Sequence, residues 1–323
     1  MDIPQELKIA IENQLVGIKS NQIIENSQKI SSRYRNNIGD GKIFVNKQEE
    51  ALSYAISRMP STYCAIYSAL DHTLENYNEK INTCYDMGAG TGAATWAVNQ
   101  FMHLEKCTCF EREQVMINMG KKLMKGVELL KQVDWKKFDI LKDNFTEKAD
   151  LVITSYMINE LPEENKNKII KKLWNITNKI LLIIEPGTPA GFKNIVNARE
   201  MLLKEGANII APCSHQNECQ IKGDDWRSFY VRVNRSGIQR LAKKGELGYE
   251  DEKFSYIAFS KKAIDNQKTR ILRHPQIYQG YVKIKVCTNH GIEEKIYSKK
   301  DGEIYKKIKK LNAGDIIENN TKL

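Results

Sequence analysis

The stretch Cys84-Tyr85-Asp86-Met87-Gly88-Ala89-Gly90-Thr91-Gly92-Ala93-Ala94-Thr95-Trp96 decides how this chain is read. It ends a predicted strand, Asn82–Met87, and opens a predicted helix, Gly92–His103. Three glycines therefore fall in a strand-to-helix turn. Without Cβ atoms, Gly88, Gly90 and Gly92 let the backbone turn tightly and come close to a ligand. The helix beyond them presents N–H groups that have no partner within the helix.

Outward from this turn, apolar strand candidates recur at Lys106–Phe110, Leu151–Ser155 and Ile180–Ile184. Helical stretches, Val115–Leu130 and Glu163–Asn178, separate them. Strands spaced by helices of this length predict a right-handed, parallel, doubly wound sheet. Ile180–Ile184 is apolar without alternation, as a strand covered on both faces must be.

Two cofactor classes use such a turn. Dinucleotide sites require G-x-G-x-x-G/A, which Gly88, Gly90 and Ala93 satisfy. S-adenosylmethionine sites place an acid just ahead of the glycines, and Asp86 stands there. A carboxylate at that point meets the cationic amino-acid end of adenosylmethionine, directly or through water, and repels a pyrophosphate. The residues thus favour a methyltransferase-like site. Glu111, about twenty residues on, is the expected acceptor for the ribose hydroxyls. Asp139 is expected near the adenine amino group, with Asp143 as competitor. Ser155, which ends the predicted strand Leu151–Ser155 and opens the loop after it, completes the candidate cofactor contacts. The expected fold class is α/β, a Rossmann-like class I methyltransferase sheet.

Composition narrows the setting. The chain has 323 residues, 41% of them hydrophobic, and no apolar run long enough for a transmembrane helix. MDIPQELKIAIENQL carries acids among apolar positions at helical spacing, so it reads as a surface helix and not a signal peptide. The seven scattered cysteines predict packed thiols in a cytoplasmic protein, and a monomer is expected. A formal charge of +10 points to a polyanionic partner such as nucleic acid.

Residues 1–80 are predicted helical, with a break at Met59–Ser61 imposed by Pro60. Residues 81–275 are expected to form the methyltransferase domain, with a cysteine-bearing insertion at 208–228. Residues 276–323 alternate apolar and polar positions and predict a small basic β appendage. Basic residues gather at Arg232, Arg235, Arg240, Lys243 and Lys244, with Tyr230, Tyr249 and Tyr256 among or beside them, and are the expected RNA surface.

No catalytic residue can be named. The loop Ser155-Tyr156-Met157-Ile158-Asn159-Glu160 does not match the Asn-Pro-Pro-Tyr pattern of exocyclic base methylation. Cys213, in Ala211-Pro212-Cys213-Ser214, comes after the strand Ile180–Ile184, where a cytosine-carbon nucleophile should follow the strand before it, Leu151–Ser155. Catalysis by alignment alone remains, since a sulfonium needs little more.

Several segments together resemble a known family. They are Tyr54–Tyr67, the glycine loop, Glu185–Pro189, Ala211–Cys219, Asp225–Trp226, Tyr249–Tyr256 and Gly280–Cys287. The chain resembles, over roughly residues 40–315, the methyltransferase-like proteins of the small ribosomal subunit, known from mitochondrial ribosome assembly and found also in bacteria. The resemblance implies a Rossmann-like domain, association with small-subunit ribosomal RNA and, in several members, a four-cysteine iron–sulfur cluster. By position, Cys213, Cys219 and Cys287 would be three of its ligands. Arg227 stands where the fourth cysteine is expected. Either another group such as His215 or a water completes a labile cluster or a zinc site, or the metal has been lost and Arg227 pairs in its place. Three functions follow: an rRNA methyltransferase, a non-catalytic RNA-binding assembly factor, or a small-molecule methyltransferase.

Overall fold

Four helices precede the first strand: α1 (Gln5–Asn13), α2 (Ser20–Asn36), α3 (Gln48–Ser57) and α4 (Met59–Leu74). The computed structural model describes residues 1–36, 45–75, 77–264 and 268–317; the polar tail from 318 lies outside the described residues. Pro60 occupies the first turn of α4, where a missing N–H removes no helical bond. The chain breaks at Arg58, between α3 and α4, as the proline predicts.

Alternating strands and helices follow. They are β1 (Thr83–Met87), α5 (Ala93–Val98), β2 (Lys106–Glu111), α6 (Gln114–Met124), β3 (Asp134–Lys137), β4 (Ala149–Ser155), α7 (Glu163–Asn175), β5 (Thr177–Pro186), α8 (Pro189–Lys204) and β6 (Asn208–Ala211). After a loop come β7 (Phe229–Asn234), α9 (Gly237–Lys243) and β8 (Tyr249–Ser260). The sheet order is β3-β2-β1-β4-β5-β8-β6, with β7 also on β8. The first five strands are mutually parallel, and β8 runs antiparallel to β5, β6 and β7.

Strand alternation builds two cores. Leu151, Ile153, Ile180, Leu182 and Ile184 face one side, against Ile56, Met59 and Ile66 of α3 and α4 and Trp96 of α5. Val152, Leu181 and Ile183 face the other, against Ile169 and Leu173 of α7 and Ile195 and Leu202 of α8. Removing each such side chain from water stabilises the fold by roughly 1.5–3 kcal/mol. The N-terminal helices are therefore the cover of one sheet face.

A second sheet comprises β9 (Thr269–Ile271), β10 (Gln276–Ile277), β11 (Tyr281–Thr288), β12 (Gly291–Ser298) and, after α10 (Gly302–Ile308), β13 (Ile316–Ile317). Val282, Ile284 and Val286 of β11 pack on Tyr305 and Ile308 of α10, while Lys283 and Lys285 point away.

Candidate cofactor site and cysteine cluster

The strand order reverses between β1 and β4, and ligands of open α/β sheets bind at the carboxyl ends of strands beside such a reversal. A cavity of about 690 Å³ opens there, on the glycine loop. Gly88, Gly90 and Gly92 all have positive φ, at 67°, 57° and 87°. A Cβ at Gly88 would come within 2.9 Å of the Met157 side chain, and one at Gly92 within 2.3 Å of Met124 Cε. Gly92 answers to packing, whereas Gly88 meets both Met157 and the cavity that it lines. At Gly90 the nearest atom would be 3.6 Å away, on Met116, and the residue lines the cavity. Gly88 and Gly90 are thus where the loop backbone meets ligand space, and Gly90 is the one with room beside it.

Glu111 ends β2 and fixes the loop. Its Oε2 accepts from Gly90 N at 2.7 Å and its Oε1 from Glu113 N at 2.8 Å. Gly88 N and Ala89 N donate to Phe110 O at 2.9 and 3.1 Å. Burial raises the Glu111 pKa against the pull of these donors. Each carboxylate oxygen retains a second lone pair for a hydroxyl donor.

Asp86 does something other than the sequence leads one to expect. It is fully buried on β1, and Oδ2 accepts from both Thr95 N (3.1 Å) and Thr95 Oγ1 (2.9 Å). The acid therefore satisfies the early turns of α5 and does not line the cavity. Its Oδ1 has no hydrogen-bond partner among the described residues, and burial pushes its pKa up to about 7. Cys109 Sγ lies 3.1 Å from Thr95 Oγ1 in the same pocket of atoms.

Asp139 and Ser155 both line the cavity. Asp139 Oδ1 accepts from Leu141 N at 3.0 Å, while Asp143 Oδ2 accepts from Asp139 N at 2.8 Å. Asp143 is thus a turn-closing residue behind Asp139.

Several cavity residues escaped the sequence reading. Tyr156 and Glu160, in the loop after β4, reach the cavity, as do Tyr54 and Arg58 from the helices that cover the sheet. Tyr156 holds φ at 61° and donates its hydroxyl to Glu252 Oε1 at 3.0 Å. Burial, followed by repulsion from Glu111 and Glu185, pushes the Glu160 pKa up to about 8. Their signal was positional: they follow the carboxyl end of the strand beside the reversal.

The five basic residues expected on an RNA surface divide. Arg232, Arg240 and Lys244 are exposed, whereas Tyr256, expected to stack on bases beside them, is fully buried in the core. Arg235 and Lys243 turn inward to the Glu250 carboxylate, at 2.8 and 2.5 Å, and line the cavity. Arg232 lies 4.1 Å over the Tyr249 ring and pairs with Asp251 through two hydrogen bonds.

The cysteine-bearing segment joins the two sheets. Arg227 is buried, with Nη1 and Nη2 at 3.6 and 3.5 Å from Cys213 Sγ. Burial alone would raise the Cys213 pKa, but the guanidiniums of Arg227 and Arg199 outweigh it and hold the thiol below its ordinary value. Cys287 lies on β11, its thiol pushed up by burial and by Cys213. Cys219 is half-buried. Among the described residues no group of three or more His, Cys, Asp or Glu is placed to hold a metal. A guanidinium bonded to Cys213 does not fit a four-thiolate site.

The glycine loop, the acid at the end of β2 and the sheet order define a class I methyltransferase fold. Within that class the chain belongs to the family described as the mitochondrial small ribosomal subunit protein Rsm22, whose family model matches residues 48–318. It is 27% identical over 188 residues to ribosome assembly protein METTL17, mitochondrial, of Homo sapiens, a stretch covering 52% of this chain and 41% of the human protein. The match thus spans less than half the length of that relative. It is 21% identical over 239 residues to carboxy-S-adenosyl-L-methionine synthase of Vibrio atlanticus (strain LGP32), covering 73% of this chain and 93% of the synthase. Among solved structures, a putative RNA methyltransferase of Pyrococcus horikoshii aligns at a TM-score of 0.43 and 14% identity, over 64% of this chain and 87% of the other. Magnesium protoporphyrin IX methyltransferase of Synechocystis aligns at 0.43 and 13%, over 76% and 99%. Among the described residues no helix is long and apolar enough to cross a membrane.

Proposed function

We propose that the cavity binds S-adenosylmethionine and that the protein serves the assembly of the small ribosomal subunit, on or beside its RNA. The observation that carries this reading is Glu111, which fastens the glycine loop while facing the cavity with spare acceptor capacity. The donor set suits the group. Glu111 would take the ribose hydroxyls, Gly90 would leave room for the ligand, and Asp139 would accept from a donor-rich base. Bound adenosylmethionine supplies an electrophilic methyl group. What this chain contributes is orientation, exclusion of water by α3 and α4, and a carboxyl at Glu160 that holds a proton near neutrality.

Family membership and the human relative's name support the ribosomal part of the reading. Exposed Arg232, Arg240 and Lys244, with Tyr249 beside Arg232, would meet phosphates and bases. Calorimetry with adenosylmethionine tests the first half, and co-sedimentation with small-subunit particles at low and high salt tests the second. No heat of binding, or no sedimentation at low salt, overturns the corresponding half.

A second reading, assembly without methyl transfer, is favoured by one observation: both Glu111 oxygens already accept from backbone N–H groups of the chain itself. Radiolabelled methyl transfer to small-subunit RNA separates the two. Incorporation that disappears with Glu111→Ala sinks the non-catalytic version.

A further inference from the structure

We infer that Arg227 stands in place of a metal centre, so that a buried guanidinium, and no cluster, locks the second sheet onto the first. Neither Arg227 nor Cys213 lines the cofactor cavity, so the joint between the sheets stands apart from what that cavity binds.

Three observations meet at this point. Arg227 is 5% exposed and directs both terminal nitrogens at Cys213 Sγ. Cys213 is the cysteine whose sulfur the guanidinium reaches, and the residue after it, Ser214, ties the same segment to Cys287 of the second sheet. The surrounding segment is strapped to both sheets by ordinary hydrogen bonds. Ser214 Oγ donates to Cys287 O at 3.1 Å, Ile292 N donates to Gln220 Oε1 at 2.7 Å, and Ser255 Oγ donates to Arg227 O at 2.6 Å. Arg199, itself buried, donates to the carbonyls of His215 and Asn217 and so wraps the same segment.

The chemistry leaves little room for a metal. A cubane takes four thiolates and a structural zinc takes four ligands. Arginine stays protonated and has no lone pair to offer. Its fixed positive charge repels an incoming cation, and its hydrogen bonds occupy a sulfur that such a cation would need. Two buried guanidiniums also fasten several carbonyl and sulfur acceptors at once, as a ligated metal fastens its ligands.

Anaerobic reconstitution with ferrous iron and sulfide, and separately with zinc, tests the inference on the full chain. The wild type is expected to retain no more metal than C213S/C219S/C287S, and chelators should leave its Tm unchanged. R227C is expected to gain metal under the same treatment, and R227M to melt well below both the wild type and R227K. A full iron complement in the wild type, or a chelator-sensitive Tm, overturns the inference. So does an R227C variant as metal-free as the wild type, or an R227M variant as stable as it. Should the variants fail to accumulate in folded form, wild-type metal content and chelator response decide alone.

Discussion

The Glu111 carboxylate at the end of β2 holds the N–H of Gly90 at 2.7 Å, joining the acid and the loop that a nucleoside cofactor needs before any ligand arrives. Preorganisation of this kind lowers the cost of binding. Glu111→Ala is therefore expected to weaken adenosylmethionine binding about 10- to 100-fold, since a hydrogen bond to a charged group is worth roughly 1.5–3 kcal/mol. Calorimetry reads the change, and an unchanged Kd removes Glu111 from the site.

The glycines should separate stability from binding. Gly92→Ala forces a Cβ to within 2.3 Å of Met124 Cε and should cost roughly 2–4 kcal/mol from overpacking and positive-φ strain. Gly90→Ala meets no such neighbour, so about 1–2 kcal/mol of strain is expected, together with loss of cofactor binding. Thermal melts beside calorimetry test both. Equal destabilisation at the two positions contradicts the geometry.

Asp86 gives the pH dependence a sign. Burial raises its pKa from 3.8 to about 7 in the folded state, so between those values the folded chain binds more protons than the unfolded chain. Stability owed to this group is complete below about pH 4 and is lost as pH rises through 7. Asp86→Asn keeps an acceptor for Thr95 and removes the titration. It should equal the wild type near pH 3.5, pull ahead as pH rises from 4 to 7, and exceed it in denaturant midpoint at pH 8. A difference that does not change with pH refutes the assignment.

Glu250 holds two half-buried cations, Arg235 and Lys243, beside the cavity. Glu250→Ala strands both, and breaking such a pair from one side is expected to destabilise by roughly 3 kcal/mol, little relieved by salt. Exposed-pair behaviour, with an effect under about 1 kcal/mol, would contradict the burial.

For the outer surface, Arg232→Ala and Lys244→Ala should each lower the salt slope of particle binding by about one. Arg235→Ala should leave that slope alone, because its charge is spent inside on Glu250.

Much of the doubly wound core was legible because its strands are apolar and end in turn residues; β1, β2, β4 and β5 fall where Asn82–Met87, Lys106–Phe110, Leu151–Ser155 and Ile180–Ile184 were expected. The short β3, Asp-Trp-Lys-Lys, escaped because an edge strand exposes its side chains and needs no apolar signal. Nothing local says that β8 inserts between β5 and β6, since that pairing is tertiary. The site divides the same way. Glu111 could be found by its distance from the glycines, whereas the partner of Asp86 is Thr95, on a helix with no motif to flag it. Arg235 and Lys243 looked like surface charge until Glu250, on the next strand, drew them in.

The place of β8 also bears on how the chain can be made. The outer edge of β5 is completed by β8, and β6 pairs in the central sheet with β8 and with nothing else described. On a ribosome that is synthesising this chain, the cofactor half emerges first with an unsealed hydrophobic edge, and stays so until residue 260 clears the exit tunnel. Unpaired strand edges of this kind template aggregation. A nascent chain stalled anywhere between 186 and 249 should therefore depend on chaperones, and one stalled after the whole of β8 has emerged should not.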